Sequence, residues 1–340
     1  MSFLTKVIIK KRITALLTVF TLVCVTAIPL FATNVFASTY QKMLVIASSQ
    51  YAYDFSNLKV VNGSCASNIT DIVLEELTAT DTTGTGQINL IKALYGINPY
   101  LKIWVSLPSI NANNYTSITY ATLTTYLNTL KTGITNSLGA TVWSNYIAGV
   151  YINEENVYGT PTNYSNLTGT SSDILRMSQL SSYVKSTLGK KFLWIPYYGV
   201  TSAAQTAEVN VKNIAYIANT TNYFDYVILQ PHYYNITNAT GITASPTNLN
   251  GVAYSVQNSG NGTGGAITYR DGSVVVAKTS SARIGFEMEN SVNVSNSGTY
   301  SSYTSTLTPI RNACPVAYYY DVTSNSGPNM LAAAASFFNY

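Results

Sequence analysis

Seven short apolar runs, separated by longer stretches of helical period, constrain this chain more than any other feature. They occupy residues 43–47, 101–106, 147–153, 192–197, 226–230, 283–287 and 316–320. Each is apolar on both faces, as a strand is when helices cover its sheet. Segments 119–138, 171–188, 203–219 and 329–338 carry helical spacing, and Gly189 follows Leu188 as a helix C-cap residue. Strands alternating with helices predict a parallel α/β sheet. No Gly-rich fingerprint follows the first run, which argues against a dinucleotide-binding sheet. The expected fold is therefore a single-domain (β/α)8 TIM barrel over residues 38–340. Its eighth strand is expected within 250–280. There Tyr269-Arg270-Asp271-Gly272-Ser273 also signals a hairpin, so the stretch reads as an insertion around the sixth βα unit.

The 340 residues are 46% hydrophobic and 9% charged, with 28 Tyr, a balance that excludes a disordered chain. Lys6, Lys10, Lys11 and Arg12 precede an apolar run over 13–31, and Val35 and Ala37 suit a signal-peptidase site. This predicts a secretory signal peptide over 1–37 and a secreted or cell-surface chain without a membrane span after cleavage. An uncleaved anchor is the alternative. Cleavage removes four of the 18 Lys and Arg and none of the 14 Asp and Glu, leaving 14 of each. A neutral chain offers no basic face to nucleic acid, so none is expected as a partner. Cys65 and Cys314 remain, either as one disulfide or as two unrelated thiols.

With carboxylates so scarce, two close pairs stand out. Glu154-Glu155 ends the 147–153 run, and Glu287-Met288-Glu289 ends the 283–287 run. These are the third and seventh strands of the expected barrel, whose C-terminal strand ends together build the active-site face. Two carboxyl groups across a cleft are the minimal apparatus for glycoside hydrolysis. Strand alternation puts Tyr151, Asn153 and Glu155 on one face, with Ile152 and Glu154 on the other. Gly285, Glu287 and Glu289 likewise share a face. Glu155 is thus the expected acid/base and Glu289 or Glu287 its partner, with Glu154 the fourth catalytic candidate. The plainer reading makes all four solvated or structural residues at loop starts.

Asn153, Tyr197, Tyr198, Gln230, His232 and Tyr233 gather at the same strand ends. Aromatic faces stack on sugar rings and amides bond hydroxyls in both directions, so these are the expected substrate contacts. Asp321, ending the last strand, adds a further carboxylate. His232 is the sole histidine, which excludes a multi-His zinc centre, and no Gly-x-Ser-x-Gly elbow precedes a helix. No metal or cofactor is expected. His232 is read as a hydrogen-bond donor to substrate or to a glutamate, or as a structural residue.

Four blocks occur in order: Gly149 to Glu155, Leu193 to Tyr198, Asp225 to Tyr233, and Gly285 to Glu289. Together they resemble a secreted bacterial family of unknown function, glycoside-hydrolase-like with a TIM-barrel fold. The resemblance spans about residues 43–320. That family often has an aromatic residue where Ile152 stands and Asn where His232 stands. The resemblance implies the fold and the reaction class, a glycosidase acting on a polysaccharide or surface glycan, but no substrate. The rival expectation is a non-catalytic glycan-binding or cell-surface structural protein. Third and seventh strands lie across the barrel from one another. A missed early strand, for instance within 60–66, would shift the pairs to strands four and seven, an arrangement of many retaining barrel glycosidases. On that footing a retaining mechanism is expected, with the glycosyl intermediate on Glu289 or Glu287.

Overall fold

The apolar runs form strands, and they close into a ring of eight. A computed structural model describes residues 40–47, 55, 58–61, 64–65, 68–76, 82–158, 172–199, 207–232, 246–258, 265–291, 298–321 and 330–339. The expected signal peptide over 1–37 and Tyr233 lie outside the described residues. Residues 40–340 make one compact unit. No helix among the described residues is long and apolar enough to cross a membrane.

The barrel strands are β1 (Lys42–Ala47), β2 (Asp71–Glu75), β3 (Lys102–Ser106) and β4 (Ile147–Ile152). They continue with β5 (Lys191–Trp194), β6 (Tyr226–Leu229), β7 (Arg283–Ser291) and β8 (Val316–Asp321). Every neighbouring pair is parallel, and β1 pairs with both β2 and β8, so no edge remains. The helices are α1 (Thr85–Ile97), α2 (Tyr120–Leu138), the short α3 (Ala140–Asn145) and α4 (Ser172–Ser182), which a π turn extends to Thr187. The rest are α5 (Ala207–Thr220), α6 (Pro246–Gln257), α7 (Gly298–Leu307) and α8 (Met330–Asn339). This is a TIM barrel, as the alternating pattern predicts. Thr119 caps α2 by accepting from Thr122 N at 3.2 Å. Gly189, at φ 62°, ends the helical stretch before β5 as its sequence position suggests.

One strand was misplaced by the sequence reading. The eighth member of the ring is not within 250–280 but is β2, whose Asp71 and Glu75 interrupt the apolar signal at both ends. Among the described residues of 60–66, Val60–Val61 pairs antiparallel with Ser64–Cys65, outside the barrel. The 265–280 stretch connects α6 to β7 and carries the expected hairpin: Thr268 bridges Val274, and Gly272 turns at φ 87°. Counting β2 moves the Glu154-Glu155 strand from third to fourth.

Side-chain alternation sorts the core into two shells. Leu44, Ile72, Val150, Trp194, Phe286 and Tyr318 point outward and pack under the helices. Met43, Val73, Trp104, Tyr151, Leu193 and Ile228 fill the interior of the ring. The side chain of Cys65 lies outside the described residues. Cys314 is a free, buried thiol at the foot of β8, with Sγ 3.6 Å from the Ile310 carbonyl, and burial pushes its pKa up.

Gly285 is where β7 and the approach to β8 come too close for a side chain. A Cβ there would sit 2.0 Å from Pro315 O and 2.8 Å from Ile228 Cδ1. Backbone cannot yield as a flexible side chain can, so Gly285→Ala is expected to lower unfolding free energy by about 1–3 kcal/mol. Urea denaturation measures it, and an unchanged midpoint would contradict the packing described.

Candidate functional site

Beyond Ile152 the alternation of β4 persists, which decides between its two glutamates. Asn153 turns inward; its Nδ2 donates to Glu76 O at 2.9 Å, and Tyr151 OH lies 3.4 Å from its Oδ1. Glu154 turns outward, away from the mouth. Its Oε1 meets Arg176 Nη2 at 2.9 Å, and the same nitrogen reaches Asp173 Oδ1 at 2.7 Å. All three side chains are buried. Arg176 also donates to Tyr115 O at 2.8 Å and Ile118 O at 3.2 Å. Glu154 is therefore a clamp between β4, α4 and the loop before α2, not a group facing substrate.

Glu155 comes next and faces the mouth. Its carbonyl accepts from Tyr197 N at 2.9 Å, which carries the β4–β5 ladder one step past the strands. The side chain is open to solvent. Protein nevertheless surrounds it closely enough that desolvation raises its pKa, against the pull of His232 and a hydrogen bond from Gln230. The nearby Glu289 charge pushes in the same direction as burial.

Across the ring, β7 extends to Ser291, six residues past Gly285, and stays paired with β8, Glu287 opposite Ala317 and Glu289 opposite Tyr319. Both glutamates turn inward and both are buried. Glu289 lies nearer the mouth. The Tyr303 hydroxyl of α7 donates to its Oε2, and His232 Nδ1 stands 3.3 Å from its Oε1. Glu287 lies one step deeper. Burial raises its pKa well above the carboxylate range, and the Glu289, Glu75 and Glu155 charges add to this. Its protonated form is favoured.

Gln230 ties the two sides together, since it hydrogen-bonds both Glu155 and Glu287. Its Oε1 is buried with no partner among the described residues, as is Glu287 Oε2. Unsatisfied buried acceptors are costly, and a ligand hydroxyl would satisfy them. His232 holds a left-handed backbone at φ 50°, and its ring packs edge-on against Tyr197 with centroids 4.9 Å apart. Burial and the Glu289 charge push the Tyr197 hydroxyl up to about 12, so it stays protonated as a donor.

Of the expected substrate contacts, Gln230, His232 and Tyr197 line the mouth. Tyr198 does not: it points outward, fully buried, and its hydroxyl donates to Thr268 O at 2.7 Å behind the barrel wall. Its even position after the β5 strand makes this unavoidable. Asn153 is inside the ring, but its amide braces Glu76. Asp321 ends β8 opposite Ser291, and its side chain lies outside the described residues.

Sequence reasoning missed three contributors. Glu75, at the end of β2, places a further carboxyl near Tyr151 and Glu287. Tyr303 was hidden in a polar helix. Tyr158 stacks on Tyr115 with centroids 5.2 Å apart, near the Glu155 charge, and so offers an aromatic shelf beside the mouth. The inward period of Asp71, Val73 and Glu75 was the one signal that could have exposed β2 and its glutamate. Among the described residues, no group of three or more His, Cys, Asp or Glu is arranged to hold a metal ion.

No family model matches the chain, and no curated protein matches it. Among solved structures, it is similar to the C-terminal domain of a candidate chitinase from Desulfitobacterium hafniense DCB-2. The identity is 13% and the TM-score 0.30, and the match covers 57% of this chain and 55% of that one. It is also similar to a sugar phosphate isomerase/epimerase from Parabacteroides distasonis ATCC 8503. That match has 11% identity and a TM-score of 0.40 over 87% of this chain and 96% of that one.

The raised carboxyls make stability depend on pH in a definite direction. A group whose pKa is raised in the folded state loses stabilisation as pH climbs from the unfolded value, about 4.3 for Glu, through the folded one. The melting temperature should therefore fall from mildly acidic to alkaline pH. Glu287→Gln, a neutral mimic of the protonated acid, should flatten that fall and leave the acidic end unchanged. Thermal melts across pH test both, and a steeper alkaline loss in the variant would refute the assignment.

Proposed function

We propose that this protein is a secreted glycoside hydrolase acting on a polysaccharide or surface glycan, with Glu155 as acid/base and Glu289 as nucleophile. One observation carries the reading. Two glutamates from β4 and β7 meet within charge range at the C-terminal mouth of the barrel, with Gln230, His232 and Tyr197 around them. A protonated Glu155 gives its proton to the glycosidic oxygen as the bond to the anomeric carbon breaks. Glu289, held by Tyr303 and flanked by His232, attacks that carbon. Glu155, now ionised, takes a proton from water, which displaces Glu289 and releases the sugar. Glu287, deeper and hydrogen-bonded to Gln230, holds that amide in place and offers its unpartnered Oε2 to a sugar hydroxyl. The expected signal peptide, and the neutral charge its removal would leave, support an extracellular glycan as substrate rather than nucleic acid.

Glu155→Gln and Glu289→Gln should each fold normally and lose roughly a hundredfold to ten-thousandfold in kcat on a polysaccharide panel. The alkaline limb of kcat/KM, set above the ordinary carboxylate range by the desolvated Glu155, should vanish in Glu155→Gln. Full turnover in both variants would reject the assignment, and saccharide binding without turnover in the unmodified protein would favour a glycan-binding role.

The placement on strands four and seven leads us to expect retention of configuration. Proton NMR of the first-formed product should show the substrate's own anomer. An inverted anomer would mean that water, not Glu289, makes the attack.

A further inference from the structure

The barrel has a second mouth, at the N-terminal ends of the strands and on the opposite side from the glutamates. A cavity of about 700 Å³ opens there among the starts of β2 to β5, with Trp104 in its wall. That volume falls within the usual range for small-ligand sites. Four lysines, Lys102, Lys185, Lys190 and Lys191, line it against two carboxylates, Asp71 and Asp225.

Hydrogen bonding shows which of these charges are already committed. Lys185 reaches Asp225 Oδ2 at 3.4 Å and donates to Asn222 O at 2.8 Å. Lys190 uses all three N–H groups on the carbonyls of Trp143, Ser144 and Ile147, at 2.6, 3.1 and 2.7 Å. Asp71 accepts from Trp104 Nε1 at 2.9 Å and from Thr70 Oγ1 at 2.5 Å, so neutral donors hold both its oxygens, while the Lys191 and Lys102 charges act on it from beyond ion-pair distance. Lys102 and Lys191 remain. Each ammonium has three donors. Lys102 uses one on Asn145 O at 2.6 Å, and Lys191 uses one on Tyr226 OH at 3.3 Å. Both side chains are exposed, and neither has a carboxylate within ion-pair distance among the described residues. The excess positive charge is felt nearby. Burial, helped by the Lys102 and Lys131 charges, pushes the Lys190 ammonium down to about 8. A bound anion would oppose that repulsion.

We propose that the N-terminal cavity binds a small anionic ligand, gripping its phosphate or carboxylate group with the spare donors of Lys102 and Lys191. Charge-assisted bonds from two ammoniums give such a group both its affinity and its salt sensitivity. The site is separate from the glutamate mouth and stands whether or not that mouth hydrolyses glycans.

The test titrates the full chain with inorganic phosphate and with galacturonate, using galactose as the uncharged control. Intrinsic tryptophan fluorescence, reporting Trp104, and calorimetry follow the binding. At least one anion should bind saturably, galactose should not, and added salt should weaken the binding. A response to phosphate alone assigns a phosphoryl-bearing ligand; a response to galacturonate alone assigns an acidic sugar. Lys102→Met with Lys191→Met should weaken binding about tenfold or more, the effect of losing a charged hydrogen bond. Lys102→Arg with Lys191→Arg, which keeps the charge, should retain it. Both positions are exposed, so neither change disturbs the core. The absence of saturable binding by either anion, or equal affinity in the Met variant, overturns the proposal.

Discussion

Closing eight parallel strands into a ring sends every second side chain into a narrow interior that water barely enters, and the rest of the molecule follows from that. The middle of the ring is apolar, with Met43, Val73, Leu193 and Ile228. Polar groups are confined to its two ends. β2 shows the arrangement in one strand: Asp71 at the foot, Val73 in the middle, Glu75 at the mouth. A carboxyl placed at either end is partly desolvated, so Asp71, Glu155 and Glu287 all have raised pKa values with burial as the main cause.

The outward face holds the inward one in place. Arg176 joins Glu154 and Asp173 in a buried cluster and also reaches two carbonyls of the loop before α2. Such a cluster adds little net stability, because desolvating its charges costs about as much as their attraction returns. Its effect is geometric. It fixes the backbone immediately before Glu155, as Trp194 Nε1 does by donating to Glu154 O at 2.6 Å. Glu154 thus supports the site from one residue away while facing the opposite side of the wall.

Much of this was legible in the sequence wherever a strand repeats its period. The runs that became β1, β3 to β6 and β8 were read within a few residues of their ends. The choice of Glu155 over Glu154 came from alternation alone. β2 escaped because its inward positions carry Asp71 and Glu75, so the apolar signature of a covered strand was missing. The same omission displaced the strand count and hid a carboxyl of the site. Tyr198 looked equivalent to Tyr197 because adjacency in sequence says nothing about which side of a wall a residue faces once the strand is ending.

The sequence by itself determined the α/β alternation, the inward and outward sets on each strand, and the clustering of glutamates at strand ends, because these are local periods of the chain. The tertiary structure decided which glutamates meet, and which charges are paired or left open at either mouth. Glu155 and Glu289 are far apart in the chain and come together only when β1 pairs with both β2 and β8. The same closure gathers Lys102 and Lys191 at the foot of the barrel. Coulomb and desolvation energies depend on distances through space, and those exist only once the ring has closed.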